Sequence, residues 1–175
     1  MFWTRLTNLL VDMQKDNLDS ILSISQPQDS NTETVINFSV VEPEKFVTQR
    51  NKLHLDLQCY LTLHKPEDYL TKGTKLYLSE DGCSGFGVDP DGQLISVFST
   101  ERARGKTIVA ESVARGAKHL SCLGEKLRLL YGEAGFKVVN QLPWDDKYAP
   151  EGWNKMRFGE PNCYDMTKHE ERQAN

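Results

Sequence analysis

The stretch from Thr74 to Ala114 constrains the fold more than any other part of the chain. Three β-type runs, Thr74–Leu78, Cys83–Val88 and Gln93–Thr100, are separated by Ser79-Glu-Asp-Gly82 and Asp89-Pro-Asp-Gly92. The second spacer carries the Pro-Asp-Gly chemistry of a tight reversal, so the three runs read as an antiparallel meander. The third run passes through Thr100-Glu-Arg102-Ala-Arg104-Gly105-Lys106-Thr107 into a helix over Lys106–Arg115, with Ile108, Val109, Val113 and Ala114 on its apolar face and Gly116 as its stop.

The flanking segments complete an α+β pattern. Thr34–Val41 is β-branched and reads as a strand. Pro43 then opens a helix that continues through Glu44–Leu55. Cys59–Leu63 is a short apolar run of strand or buried helix, and Lys65–Leu70 a helical turn stopped by Gly73. After Gly116, His119–Cys122 reads as a short strand, Leu123–Ala134 as a helix ended by Gly135, and Phe136–Gln141 as the closing strand. The order predicts a mixed sheet with flanking helices, and parallel pairing between the third meander strand and the strand after the helix. Residues 1–25 have apolar positions at Trp3, Leu6, Leu10 and Met13, an amphipathic helical arm joined by a polar linker over 26–33 to a domain spanning 34–167. The turn-rich stretch beyond Pro143 is expected to drape over the body as a loop, and 168–175 to form a mobile tail.

With 175 residues, the length suits one domain plus an arm. A net charge of −4 argues against broad attraction to nucleic acid or anionic lipid. Cys59, Cys83, Cys122 and Cys163 form no C-x-x-C pair, and His54, His64, His119 and His169 do not partner them at zinc-like spacing. Reduced thiols, no metal and a cytoplasmic setting are therefore expected, with no apolar run of membrane-spanning length and no signal-peptide order at Met1–Arg5.

Chemistry concentrates in the loop before the 106–115 helix. A basic, glycine-bearing turn running into a helix start offers free backbone N–H groups and the positive end of the helix dipole, a setting for phosphate. Arg102, Arg104 and Lys106 add local positive charge to an acidic chain. Gly105-Lys106-Thr107 matches the tail of a P-loop, but the first glycine of that motif falls at Thr100. The run Arg102-Ala-Arg-Gly105-Lys-Thr107 instead resembles the pyrophosphate loop of GNAT-type N-acyltransferases, with Thr107 where a Gly or Ala is customary. Leu130-Tyr131-Gly-Glu-Ala-Gly135-Phe136 is similar to the signature at the end of that family's last helix, and the pattern from Trp144 to Met166 looks like the tail of short phage GNAT-like proteins.

The resemblance implies a GNAT-like fold over about 34–141 and acetyl-CoA as co-substrate. The N–H groups of Arg104, Gly105, Lys106 and Thr107, beside Arg102, would cradle the pyrophosphate, and the backbone of Val97, Phe98 and Ser99 would lie along the pantetheine. Tyr131 would stand as the acid that protonates the departing thiolate, with Glu101, Asp145 or Asp146 as base. The implied activity is acetyl transfer to an amine acceptor. The alternative is an inactive GNAT-like phage component that docks on a host or virion protein, or on a second copy, through residues 1–25.

Overall fold

The structure, a computed structural model, describes residues 35–168. The arm and linker expected before residue 35 and the tail after 168 lie outside the described residues. The chain runs β1 (Phe38–Val40), α1 (Pro43–Arg50), α2 (Leu55–Gln58), α3 (Pro66–Lys72), β2 (Lys75–Ser79), β3 (Ser84–Val88), β4 (Leu94–Ser99), α4 (Gly105–Ala114), β5 (His119–Leu123), α5 (Glu125–Glu133), β6 (Phe136–Leu142), a 3-10 turn (Asp146–Tyr148), α6 (Lys155–Phe158) and β7 (Cys163–Lys168). The class is α+β, as the segment order predicts.

The meander forms where its turns place it. Gly82 N–H donates to the Ser79 carbonyl at 2.8 Å and Gly92 N–H to that of Asp89 at 2.9 Å, both glycines at positive φ. With β1 added along β2, the order is β1-β2-β3-β4, all antiparallel. A second sheet has the order β5-β7-β6, with β7 antiparallel to both neighbours.

Three expectations change. The parallel pairing of β4 with β5 is reduced to a bridge between Gln93 and His119, and among the described residues no ladder extends it. The stretch beyond Pro143 does not end as a loop: Cys163–Lys168 returns as the central strand of the second sheet, so Lys168, read as the start of a tail, closes a strand. Cys59–Leu63 is neither strand nor helix; it is a turn after α2 that buries Tyr60 and Leu61.

The parting of β4 from β5 has a local cause. Gly85 pairs with Phe98 and Gly87 with Ile95, so two steps along β3 oppose three along β4. The extra residue forms a β-bulge, and Ser96 takes φ 52°. Leu94 and Val97 therefore enter one core cluster, while Ile95 and Phe98 enter the other, a pairing that strict alternation forbids. The first cluster joins Phe86, Val97, Ile108, Leu127 and Tyr131 beneath α4 and α5. The second joins Phe46, Tyr69, Leu76, Ile95 and Phe98 beneath the α1–α3 segment. Both faces of the first sheet are covered, so β2, β3 and β4 are buried almost throughout.

Gly85 is fixed by close approach. A Cβ there would lie 2.7 Å from Phe98 Cε1, 2.8 Å from the Tyr77 carbonyl oxygen and 2.9 Å from Phe46 Cε2. The Phe46 and Phe98 rings meet edge to face at 5.4 Å over that gap.

Candidate functional site

The loop from Thr100 to Arg104 leaves the buried end of β4 and delivers the chain to the first turn of α4. Ser99 anchors it. The Ser99 hydroxyl donates to the Glu101 carbonyl at 2.8 Å, accepts the Glu101 N–H at 3.1 Å, and shares a 2.9 Å bond with the Ser84 hydroxyl. Ala103 sits at φ 60° and turns the backbone toward the helix. Arg104 is the N-cap residue, and its side chain makes no cap bond. Helix geometry leaves the N–H groups of Gly105, Lys106 and Thr107 without an intrahelical acceptor. The first-turn amides and the dipole thus gather at one point, favouring an anion by roughly 0.3–1 kcal/mol per exposed interaction.

A cavity of about 830 Å³ opens at that point, lined by Val35, Ile36, Arg102, Ala103, Arg104, Lys106, Thr107, Ala110 and Glu111. Its size falls in the range of roughly 300–1,000 Å³ typical of small-molecule sites. The predicted pyrophosphate residues Arg102, Arg104, Lys106 and Thr107 all line it, and Gly105 is buried behind them at the start of the helix.

The charges are less available than the sequence suggests. Arg104 Nη2 lies 2.7 Å from Asp81 Oδ2, and its Nη1 reaches the Ser84 hydroxyl at 3.4 Å. Hydrogen bonding to this guanidinium holds the Asp81 carboxyl well below the usual carboxylate range. Arg104 therefore ties the β2–β3 turn to the start of α4. Lys106 Nζ lies 2.8 Å from Glu133 Oε2 on α5, but both side chains are largely exposed, so the pair is cheap to break.

The other predicted residues lie apart from the cavity. Val97 and Phe98 are fully buried and Ser99 nearly so, their side chains packed in the cores or bonded within the loop. Only their backbone is left for a ligand role. Glu101 is exposed at the loop but does not line the cavity. Asp145 caps the 3-10 turn, its Oδ1 accepting the Lys147 N–H at 2.9 Å, and Asp146 accepts from Trp144 Nε1 and pairs with Lys155. Both belong to an aromatic clasp in which Trp153 packs on Tyr60, Phe158 and Trp144 with ring centroids 4.6–5.3 Å apart.

Tyr131 is fully buried on α5, edge to face with Phe136 at 5.9 Å. Its hydroxyl has no hydrogen-bond partner among the described residues. Burial, and then Cys122, push the phenol well above its ordinary range, so it stays protonated at neutral pH. An orphaned buried hydroxyl normally costs about 1–3 kcal/mol, a cost that a ligand acceptor would remove.

Several site residues escape sequence reasoning. Asp81 and Glu133 are acidic surface residues until the fold sets them on Arg104 and Lys106. Ser96 reads as a polar interruption of an apolar strand, and Tyr69 and Arg50 as ordinary members of helices. The P-loop alternative meets the wrong setting, because β4 pairs antiparallel with β3 instead of lying in a parallel sheet.

No family model matches the sequence, and no curated protein matches it. Among solved structures, the chain is similar to a candidate phosphinothricin N-acetyltransferase, at 15% identity and TM-score 0.49 over 77% of this chain and 98% of that one. It is also similar to yncA, a candidate acetyltransferase from Salmonella typhimurium solved with its cofactor acetyl-CoA, at 11% identity and TM-score 0.45 over 81% and 99%. Likeness at this level says nothing of activity, and the reading of the site rests on its own residues. Among those described, no group of His, Cys, Asp or Glu could hold a metal ion, and no helix is long and apolar enough to cross a membrane.

Proposed function

We propose that the chain is a GNAT-like N-acyltransferase that takes acetyl-CoA at the start of α4 and passes the acetyl group to an amine. One observation carries the reading: β4, bulged at Ser96, delivers a helix N-terminus with no side-chain cap from Arg104 into a cavity lined by Arg102, Arg104 and Lys106. Such a cavity takes a pyrophosphate by backbone donors and charge. The edge of β4 beyond Gln93 is unladdered toward β5, which leaves backbone groups of Val97–Ser99 to meet the amides of a pantetheine arm.

In the reaction the amine nitrogen attacks the thioester carbonyl carbon. The C–S bond then breaks, the thiolate leaves with the electron pair, and the amine proton passes to a base. Tyr131 is the donor suited to the thiolate: it is protonated, fully buried and its hydroxyl has no partner among the described residues. Glu101 is the exposed carboxylate beside the loop, and Asp145 serves worse as base because its carboxylate already caps a turn.

A second reading is favoured by the complete burial of Tyr131 and of the β4 end. A chain with no route from acid to thioester binds acyl-CoA without turning it over and acts as an interaction component through residues 1–25. The attribution to a phage belongs to the same proposal and rests on the pattern from Trp144 to Met166.

The test is ligand-dependent unfolding. Acetyl-CoA or CoA at a hundredfold excess over the dissociation constant stabilises the fold by about 2.7 kcal/mol, whereas ATP with magnesium does not. No shift with either CoA species removes the proposal. A shift without acetylation of any amine in a panel read by mass spectrometry selects the second reading.

A further inference from the structure

The kink in β4 is held by a buried polar chain that the proposed reaction does not use. Ser96 is 2% exposed and sits at φ 52°, where a residue with a Cβ is strained. Its hydroxyl is 2.7 Å from the Tyr69 hydroxyl, and Tyr69 is fully buried on α3. Arg50, at the end of α1 and only 2% exposed, donates from Nη1 to that same Tyr69 oxygen at 2.8 Å. Among the described residues, the other bonds of Arg50 go to neutral acceptors, the His64 carbonyl at 2.9 Å and Asn51 Oδ1 at 3.0 and 3.2 Å.

A guanidinium buried on carbonyl, amide and phenol oxygens is costly to desolvate, and among the described residues it gains no carboxylate in return. Its geometry does have one definite effect. By donating to Tyr69 it leaves the phenol O–H free to point at Ser96, so the three groups form a directed chain from α1 through α3 to the bulge.

We propose that Tyr69, oriented by Arg50, is a positioning residue that holds the Ser96 bulge of β4 and so sets where the 97–104 segment meets the start of α4. The proposal rests on the acyl-CoA reading of that site for its functional consequence. It does not rest on it for the geometry. The bulge lies three residues before Ser99, which fixes the loop through Ser84 and Glu101. A strand that relaxes at Ser96 slides by one residue and carries that anchor with it.

The experiment compares Ser96→Ala, Ser96→Gly and Tyr69→Phe in the full chain by titration with CoA, and reads the kink without ligand from the backbone chemical shifts and the HN–Hα coupling at position 96. Ser96→Ala and Tyr69→Phe weaken CoA binding about tenfold, the effect of releasing roughly 1.4 kcal/mol of positioning. Ser96→Gly loses clearly less, because glycine adopts the left-handed conformation unaided. A residue that only adds a hydrogen bond predicts the opposite order, since glycine removes the same hydroxyl and the Cβ as well. Equal losses for alanine and glycine overturn the proposal, as does an unchanged coupling at position 96 in Ser96→Ala and Tyr69→Phe. If the parent chain fails to bind CoA, the acyl-CoA reading fails, and the coupling at position 96 still decides the positioning claim. If Tyr69→Phe does not fold, the alanine–glycine contrast at Ser96 decides it.

Discussion

Arg104 lies 2.7 Å from Asp81, across the gap between the start of α4 and the β2–β3 turn. One of the three basic residues expected at the phosphate loop is therefore engaged before any ligand arrives, and it acts first as a brace for the loop. Backbone N–H groups at the start of α4 then carry the main anion-binding role at the cavity, which Arg102 and Lys106 also line.

The brace makes stability depend on acid. A carboxyl whose pKa falls on folding adds stability above its ordinary value, near 3.9, and loses it as pH drops toward the folded value. Asp81 is held low by Arg104 first, with the Ser79 hydroxyl and the Cys83 N–H also donating to it. The wild-type melting temperature should drop more steeply than that of Asp81→Asn once pH falls below about 4. The side chain is 45% exposed, so solvent screening keeps the difference small. Parallel curves down to pH 2 would show that the pair contributes nothing.

Tyr131→Phe separates chemistry from packing. The hydroxyl has no partner among the described residues, so its removal should leave the melting temperature unchanged or raise it. If Tyr131 is the acid, the same change slows acetyl transfer by about a hundredfold or more, the usual contribution of a general acid, while CoA affinity holds. Unchanged turnover takes Tyr131 out of the reaction.

Gly85→Ala strikes the core. The added methyl meets Phe98, Phe46 and a carbonyl at under 3 Å, and the carbonyl cannot give way without moving β2. A loss of about 1–3 kcal/mol in chemical denaturation is expected. A loss under about 0.5 kcal/mol, the level of an ordinary surface change, would mean that the strands are looser than their burial indicates.

Thiol chemistry follows burial. Desolvation pushes Cys59 up to about 11 and Cys163 up to about 12, and Cys122, packed beside Met166, higher still. Cys83 is half-buried at the β2–β3 turn. Titration with an aromatic disulfide reagent at pH 8 should label Cys83 quickly, and all four cysteines only after denaturation. Rapid labelling of a second thiol would place one of the buried three at a mobile surface.

The legible parts of the chain were those written in local chemistry. Pro-Asp-Gly and Glu-Asp-Gly turns announce the meander, and the Ile108–Val113 and Leu127–Tyr131 stripes announce α4 and α5. The segment β7 was not legible, because Cys163-Tyr-Asp-Met-Thr-Lys carries as many polar as apolar side chains and follows a turn-rich stretch. Its identity as a central strand comes from pairing with β5 and β6, which are distant in sequence. The same holds at the site. The Arg102–Thr107 loop is visible because a basic glycine turn has a local meaning, whereas Asp81, Glu133 and Tyr69 acquire theirs only through partners 23, 27 and 27 positions away.

The most direct measurement is an amide-resolved NMR titration of the full chain with CoA. The largest shifts should fall on the backbone N–H groups of Arg104, Gly105, Lys106 and Thr107, with smaller ones along Val97–Ser99, and they should saturate. Saturating shifts elsewhere, or none at these residues at millimolar CoA, would contradict it.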